Sequence, residues 1–203
     1  MSYVEMNMFA PRIWGFDRDD AEMRVALASD WSRADLVWER LTEAAFAAFS
    51  AGDLRRTGRL LVGADNVARL FFGPNDLRRA NTAANRALLA RRQGNTTRAE
   101  KLQKQALTLW AGARGSIDAL EFRPRSRSSL FHLRMEALHR DQFHTNMRTR
   151  YHRIAEETEQ VLRGLTSAPS ASRPMFSRWR GEKPPVFDDS RKFLAAALAL
   201  IDG

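Results

Sequence analysis

The sequence contains no cysteine among its 203 residues. Disulfide bonds, thiolate metal ligands and zinc fingers are therefore excluded, and a reducing compartment is favoured. Apolar runs are short, since none approaches the ~20 residues that a membrane-spanning helix needs. Residues 1–16 lack the basic start and apolar core of a signal peptide. We expect a cytoplasmic protein that makes no contact with a membrane.

Motifs of catalysis are missing as well. The glycines of residues 73–76 and 94–97 form no phosphate loop, because no lysine follows at the required spacing. The chain has no nucleophile elbow and no His-Glu pair of the metalloprotease type. Ser128 and Ser129 precede His132, but closeness along a helix does not establish a catalytic triad. We therefore predict a protein that is not an enzyme and carries no cofactor.

Lysine is scarce, since the 33 basic residues comprise 4 lysines and 29 arginines, and the net charge is +9. The charge is unevenly distributed along the chain. Residues 1–75 hold 9 basic and 11 acidic side chains, whereas residues 76–203 hold 24 and 13. A positive field attracts nucleic acid, acidic proteins or anionic membrane. The composition thus predicts that the positively charged surface that binds a partner lies in the second part of the chain.

The chain does contain a strong helical pattern, which is clearest in residues 80–113. Two apolar stripes with the three-and-four spacing of a helix face meet at residues 93–95. Gly94 tolerates the left-handed conformation that ends a helix, and Asn95 can cap the next helix. This pattern predicts an antiparallel helical hairpin. The stripes comprise Ala80, Ala83, Ala84, Ala87 and Leu88, then Ala99, Leu102, Ala106, Leu109 and Ala113.

Similar patterns flank this hairpin on both sides. Upstream, a broad apolar stripe ends at Gly52, and Asp53 can cap the helix that follows, so a second hairpin is predicted. Pro74 cannot continue a helix and indicates an extended connection between the two hairpins. Downstream, two stripes flank residues 140–143, where no glycine is present. That segment is compatible with a third hairpin or with one continuous or kinked helix.

The spacing resembles that of a tetratricopeptide repeat. In the central hairpin the matching residues are Ala87, Gly94, Ala99 and Ala106, and in the upstream hairpin they are Ala45, Gly52 and Ala64. The resemblance implies an all-α fold of about seven or eight helices, stacked as antiparallel hairpins in a right-handed solenoid. It also implies a concave groove, lined by the first helix of each hairpin, that holds an extended peptide.

The sequence divides into four parts, which are an irregular arm at 1–16, a helical-hairpin domain at 17–165, a linker at 166–187 and a capping helix at 188–203. The linker is rich in Pro, Ser and Arg, a composition that breaks helices. The last helix is apolar nearly all round and should be buried. It would lie on the end of the solenoid or against a second chain, as in a homodimer. The aromatic arm is a candidate occupant of the groove.

Candidate binding residues come from the groove and from a basic stretch at 123–153. Asn81, Asn85 and Arg92 form a polar line on one helix, and the resemblance places both asparagines in the groove. Arginine side chains grip phosphate or carboxylate groups through two donors. The predicted partner-binding residues are Asn81, Asn85, Arg92, Arg123, Arg125, Arg127, His132, Arg134, His144 and Arg148.

The predicted function is non-catalytic binding of a peptide or an acidic protein partner in the groove. The alternative is nucleic-acid binding by the basic face of residues 123–153, with an affinity that falls steeply with salt. Asp141, His144 and His152 share one helix face, but a metal ion there would lie among arginines. We therefore predict no metal site.

Overall fold

The computed structural model describes residues 20–122, 129–164 and 187–198, and their side chains except those of 129–141 and 198. Every regular element in these ranges is an α-helix, which confirms the predicted all-α class. None of the helices in them is both long and apolar enough to cross a bilayer. The helices are α1 (Ala21–Ala28), α2 (Arg33–Ser50), α3 (Leu54–Phe71), α4 (Leu77–Arg92), α5 (Thr96–Trp110), α6 (Ala113–Asp118), α7 (Ser129–Arg163) and α8 (Asp189–Leu198).

The two turns predicted at glycine join α2 to α3 and α4 to α5. Gly52 has a φ of 77° and Gly94 a φ of 75°, in the left-handed region that glycine adopts without a steric cost. Asp53 and Asn95 then cap the following helices by accepting backbone N–H bonds of 2.8 and 3.0 Å. Each pair of helices packs together along its length. Both predicted hairpins are confirmed.

Helix α7 differs from the predicted third hairpin. It continues for 35 residues and passes through 140–143, where a turn was one of two alternatives. The segment contains neither glycine nor proline, so no residue in it favours the end of a helix. The alternative of a continuous helix is correct, and the described ranges contain two glycine-turn hairpins.

Helix α4 lies at the centre of the fold and packs against α3, α5 and α8. Its predicted apolar stripe is buried, since Ala80, Ala84 and Ala87 have 0% of their surface exposed. Side chains this small allow three neighbouring helices to approach one helix closely, and close packing is what stabilises a protein interior.

Trp38 joins α2 to α4 through a buried hydrogen bond. Its side chain is fully buried, and its Nε1 donates to Thr82 Oγ1 at 3.0 Å. The Thr82 hydroxyl donates in turn to the carbonyl oxygen of Arg78, at 2.8 Å. Because the site is closed to water, the hydroxyl is the acceptor that satisfies the indole N–H.

Replacement of Thr82 by valine should lower the free energy of unfolding by about 1–3 kcal/mol, because the buried indole N–H loses its acceptor. Thr108→Val is the matched control, since Thr108 makes the same bond to a carbonyl four residues back but is exposed. Its replacement should cost less than about 0.5 kcal/mol. Urea unfolding followed by circular dichroism measures both. Equal losses would show that the bond from Trp38 contributes no stability.

Candidate functional site

The C-terminal helix α8 lies in a cleft of the fold. It packs against α4 and α7, and its side chains also reach α2 and α5. The side chains of Ala195, Ala196 and Ala197 are at most 3% exposed. We name this site the helix cleft. It is defined by Glu39, Asn81, Trp110, Tyr151 and Thr158.

Two polar side chains of the cleft contact the backbone of α8. Asn81 Nδ2 donates to the carbonyl oxygen of Ala196 at 3.0 Å, and Thr158 Oγ1 lies 3.2 Å from that of Ala197. Asn85 Nδ2 donates to Asn81 Oδ1 at 2.8 Å, which orients the Asn81 amide toward α8. Since the acceptors are backbone oxygens, these contacts depend on the backbone of α8 and place no demand on its side chains beyond small size.

An aromatic wall holds the middle of α8. The Phe193 ring is 4% exposed, and its centroid lies 6.1 Å from that of Trp110 and 5.3 Å from that of Tyr151. Trp110 is fixed in turn, because its Nε1 donates to the carbonyl oxygen of Ala155 in α7 at 3.1 Å. The cleft therefore places two aromatic rings against one ring of α8.

The first turn of α8 is held by charge. Arg191 forms two hydrogen bonds with the Glu39 carboxylate, at 3.1 and 2.7 Å. Lys192 Nζ lies 4.0 Å from Asp35 Oδ2. Burial raises the pKa of Glu39, and the hydrogen bonds and charge of Arg191 reverse that shift only in part. Lys192 also pairs with Asp189 of its own helix, at 3.1 Å. This end of the helix cleft is acidic and complements Arg191 and Lys192, the third and fourth residues of α8.

Arg78 forms ion pairs with the carboxylates beneath the acidic end of the helix cleft. It is buried, pairs with Asp35, and also pairs with Asp76 at 2.6 Å. Its guanidinium carbon lies 3.5 Å from the centre of the Phe72 ring. Burial alone would raise the pKa of Asp35, but Arg78 and a bond from Ser32 outweigh it and lower the pKa. Asp35 therefore stays ionised beneath the first turn of α8.

The structure brings together only part of the predicted partner-binding set. Asn81 and Asn85 lie side by side in the cleft, but they are 2% and 0% exposed. Asn81 bonds to α8, and Asn85 bonds to Asn81. Arg92 is exposed at the far end of α4, 5.9 Å from the Phe49 ring, so the predicted polar line does not form one site. His144 is half-buried and Arg148 is exposed on α7.

The remaining predicted residues are not described. Arg123, Arg125 and Arg127 lie outside the described residues, as do the side chains of His132 and Arg134 and the whole arm at 1–16. Their predicted roles stay predictions.

Some basic residues in the described part of α7 form ion pairs with carboxylates. Arg153 pairs with Glu157 at 3.7 Å, and His152 Nε2 lies 3.2 Å from Asp118 in α6. Within the side chains that the structure describes, no three histidine, aspartate or glutamate residues are placed to hold a metal ion. Nucleic-acid binding by residues 123–153 stays a prediction from the sequence alone.

The charged contacts of the cleft were not predicted, although the sequence carries a signal for them. Asp35 and Glu39 are four residues apart, so they share a face of a helix that is otherwise largely buried. Buried carboxylates need cations, and Arg191 and Lys192 stand next to each other in the last helix. Matching these two pairs would have placed α8 against α2.

Comparison with models of protein families gives no match for this chain. Comparisons with curated proteins and with solved structures give no match either. The function that we propose rests therefore on the geometry of the helix cleft.

Proposed function

We propose that the protein is a non-catalytic interaction module whose helix cleft binds a helical segment, and that α8 is its intramolecular ligand. The bond from Asn81 Nδ2 to the Ala196 carbonyl oxygen carries this proposal. It joins a residue that the sequence assigns to peptide binding with the backbone of a helix. The two hairpins then stack as in the tetratricopeptide family, with α2 and α4 lining the concave side.

The sequence before α8 suits a tether. Residues 166–187 contain four prolines and no helical stripe, a composition typical of a linker. Short tethers raise the effective concentration of a bound group to about the millimolar range. A partner helix must therefore bind well enough to displace α8, and α8 sets a threshold for the interaction.

The cleft defines the chemistry of the helix that it accepts. Basic side chains in the first turn face Glu39 and Asp35, and one aromatic ring enters beside Trp110 and Tyr151. Small residues then allow the backbone to approach Asn81. The favoured ligand is a helix that is first basic, then aromatic, then rich in alanine. It differs from the acidic partner that the sequence predicts, because the charged end of this cleft is itself acidic.

A fluorescein-labelled peptide of residues 187–203 tests the proposal in an anisotropy titration against the whole 203-residue chain. The peptide should bind the Phe193→Ala chain at least about tenfold more tightly than the wild-type chain, because the weakened α8 leaves the cleft open. The same peptide with the Phe193→Ala change is the control and should bind neither chain. Equal affinity of the unaltered peptide for both chains, or no binding at all, would contradict the proposal.

A further inference from the structure

A second groove, of about 1040 Å³, lies between α3, the C-terminal half of α4 and the start of α5. It shares no lining residue with the helix cleft and is open to solvent. Four exposed arginines stand around it, three from α3 and one from α5. We name it the arginine groove. The four residues are Arg55, Arg56, Arg59 and Arg98.

The four guanidinium groups have no hydrogen-bond or ion-pair partner among the described residues. Other arginines of the fold do have partners, as Arg86 in the same groove shows by its 2.5 Å contact with Asp65. The lining also includes the Asp53 carboxylate, which accepts the backbone N–H of Arg56 at 2.8 Å and caps α3. The groove therefore presents a concentrated positive charge.

The placement of these arginines opposes the stability of their own helices. Arg55 and Arg56 stand in the first turn of α3, and Arg98 in that of α5, where the helix dipole is already positive. Neither first turn contains an acidic side chain. Arg55 and Arg59 are also four residues apart, a spacing at which like charges destabilise a helix. Local conflicts within a consistent fold are expected at functional sites.

The floor of the groove is apolar. Leu61, Leu89 and Ala90 form it, and Val62 stands at the side with 47% of its surface exposed. An apolar floor between cationic rims complements an amphipathic helix that has carboxylates beside its apolar stripe. A nucleic-acid backbone would pair with the arginines but leave the apolar floor without a partner. The combination favours a protein segment.

We propose that the arginine groove binds an acidic amphipathic helix of a partner protein. The apolar stripe of that helix lies on Leu89 and Val62. Its carboxylates pair with Arg55 and Arg59 on one side and with Arg98 on the other, through the two-donor geometry of guanidinium. The protein then has two independent surfaces of opposite preference, since the helix cleft accepts a basic helix. If one of the two surfaces proves to bind no helix, the proposal for the other surface is unaffected.

Selection from a phage-displayed library of random peptides tests this proposal, with the whole chain as bait. The peptides have about 16 residues, a little over four helical turns. Enriched sequences should carry Asp or Glu beside apolar residues at a spacing of three or four. The best peptide, measured by titration calorimetry, should lose at least tenfold in affinity for an Arg55→Glu/Arg59→Glu chain. The reversed chain, used as bait, should enrich basic peptides instead.

The unfolding temperature of each variant distinguishes the loss of the binding site from the loss of the fold. The Arg55→Glu/Arg59→Glu chain should unfold at about the same temperature as the wild type, because both side chains are exposed and the like-charge repulsion between positions 55 and 59 is kept. Arg114→Glu/Arg153→Glu reverses two exposed arginines on α6 and α7 and should leave the affinity unchanged.

Three outcomes would overturn the proposal. The first is the absence of enriched peptides, or their enrichment without acidic residues. The second is an affinity that the double reversal in the groove does not change. The third is a single-stranded DNA oligonucleotide that competes with the best peptide, binds more tightly and is lost in the same variant, which would assign the groove to nucleic acid.

Discussion

Replacement of Arg78 by alanine should lower the free energy of unfolding by about 3–5 kcal/mol, since one partner of a buried ion pair is lost. Arg78 is 6% exposed and lies between Asp35 and Asp76. Without its guanidinium, Asp35 is a buried carboxylate whose nearest remaining cation is Lys192, at 4.0 Å. Urea unfolding at neutral pH measures the loss.

The neighbouring arginine is the control for this change. Arg79 is half-buried, and its guanidinium donates a long hydrogen bond of 3.5 Å to the carbonyl oxygen of Gly73. Arg79→Ala should cost less than about 0.5 kcal/mol. Arg78→Lys keeps the charge but loses the planar guanidinium. Its loss in free energy of unfolding should therefore lie between those of Arg78→Ala and Arg79→Ala. If Arg78→Ala and Arg79→Ala cost the same, the buried network does not stabilise the fold.

Replacement of Phe193 by alanine should weaken the docking of α8 by about 3–5 kcal/mol, the usual cost of removing a buried phenylalanine ring. The loss should be local, because α8 follows a proline-rich segment without a helical stripe. Amide hydrogen exchange should therefore accelerate in α8 by about two to four orders of magnitude. The amides of the α4–α5 hairpin should keep their protection.

Phe71 supplies a matched control for the Phe193 variant. It is the same residue type, but 53% of its surface is exposed at the end of α3. Phe71→Ala should change the free energy of unfolding by less than about 0.5 kcal/mol and leave exchange in α8 unchanged. If exchange accelerates equally in every helix of the Phe193→Ala chain, α8 unfolds together with the rest of the core. It is then not a ligand that a partner can displace.

The helices and their turns were predictable because their determinants are local. Gly52 and Gly94 end helices in a conformation that other residues avoid, and Asp53 and Asn95 supply the caps that follow. The course of α7 through residues 140–143 was undecided, since the same stripes suit a long helix and a hairpin. The segment contains neither glycine nor proline, and the structure continues the helix through it.

The distribution of charge along the chain gave no sign of the arginine groove. Residues 1–75 have more acidic than basic side chains, yet three arginines of the arginine groove come from them. The reason is that Asp35 and Glu39 turn inward and pair with Arg78 and Arg191 from the second part of the chain. A sum over the sequence cannot separate charges that are paired in the interior from charges that face solvent.

The sequence by itself determined that this chain is helical, where its two glycine turns lie, and that Asn81 and Asn85 interrupt an alanine stripe. Only the tertiary structure decided what those asparagines bind. The bond from Asn81 to Ala196 joins residues 115 positions apart, and residues 166–187 between them have no helical stripe. Local propensities act over a few residues, whereas the position of α8 depends on charges, rings and small side chains that four other helices bring together.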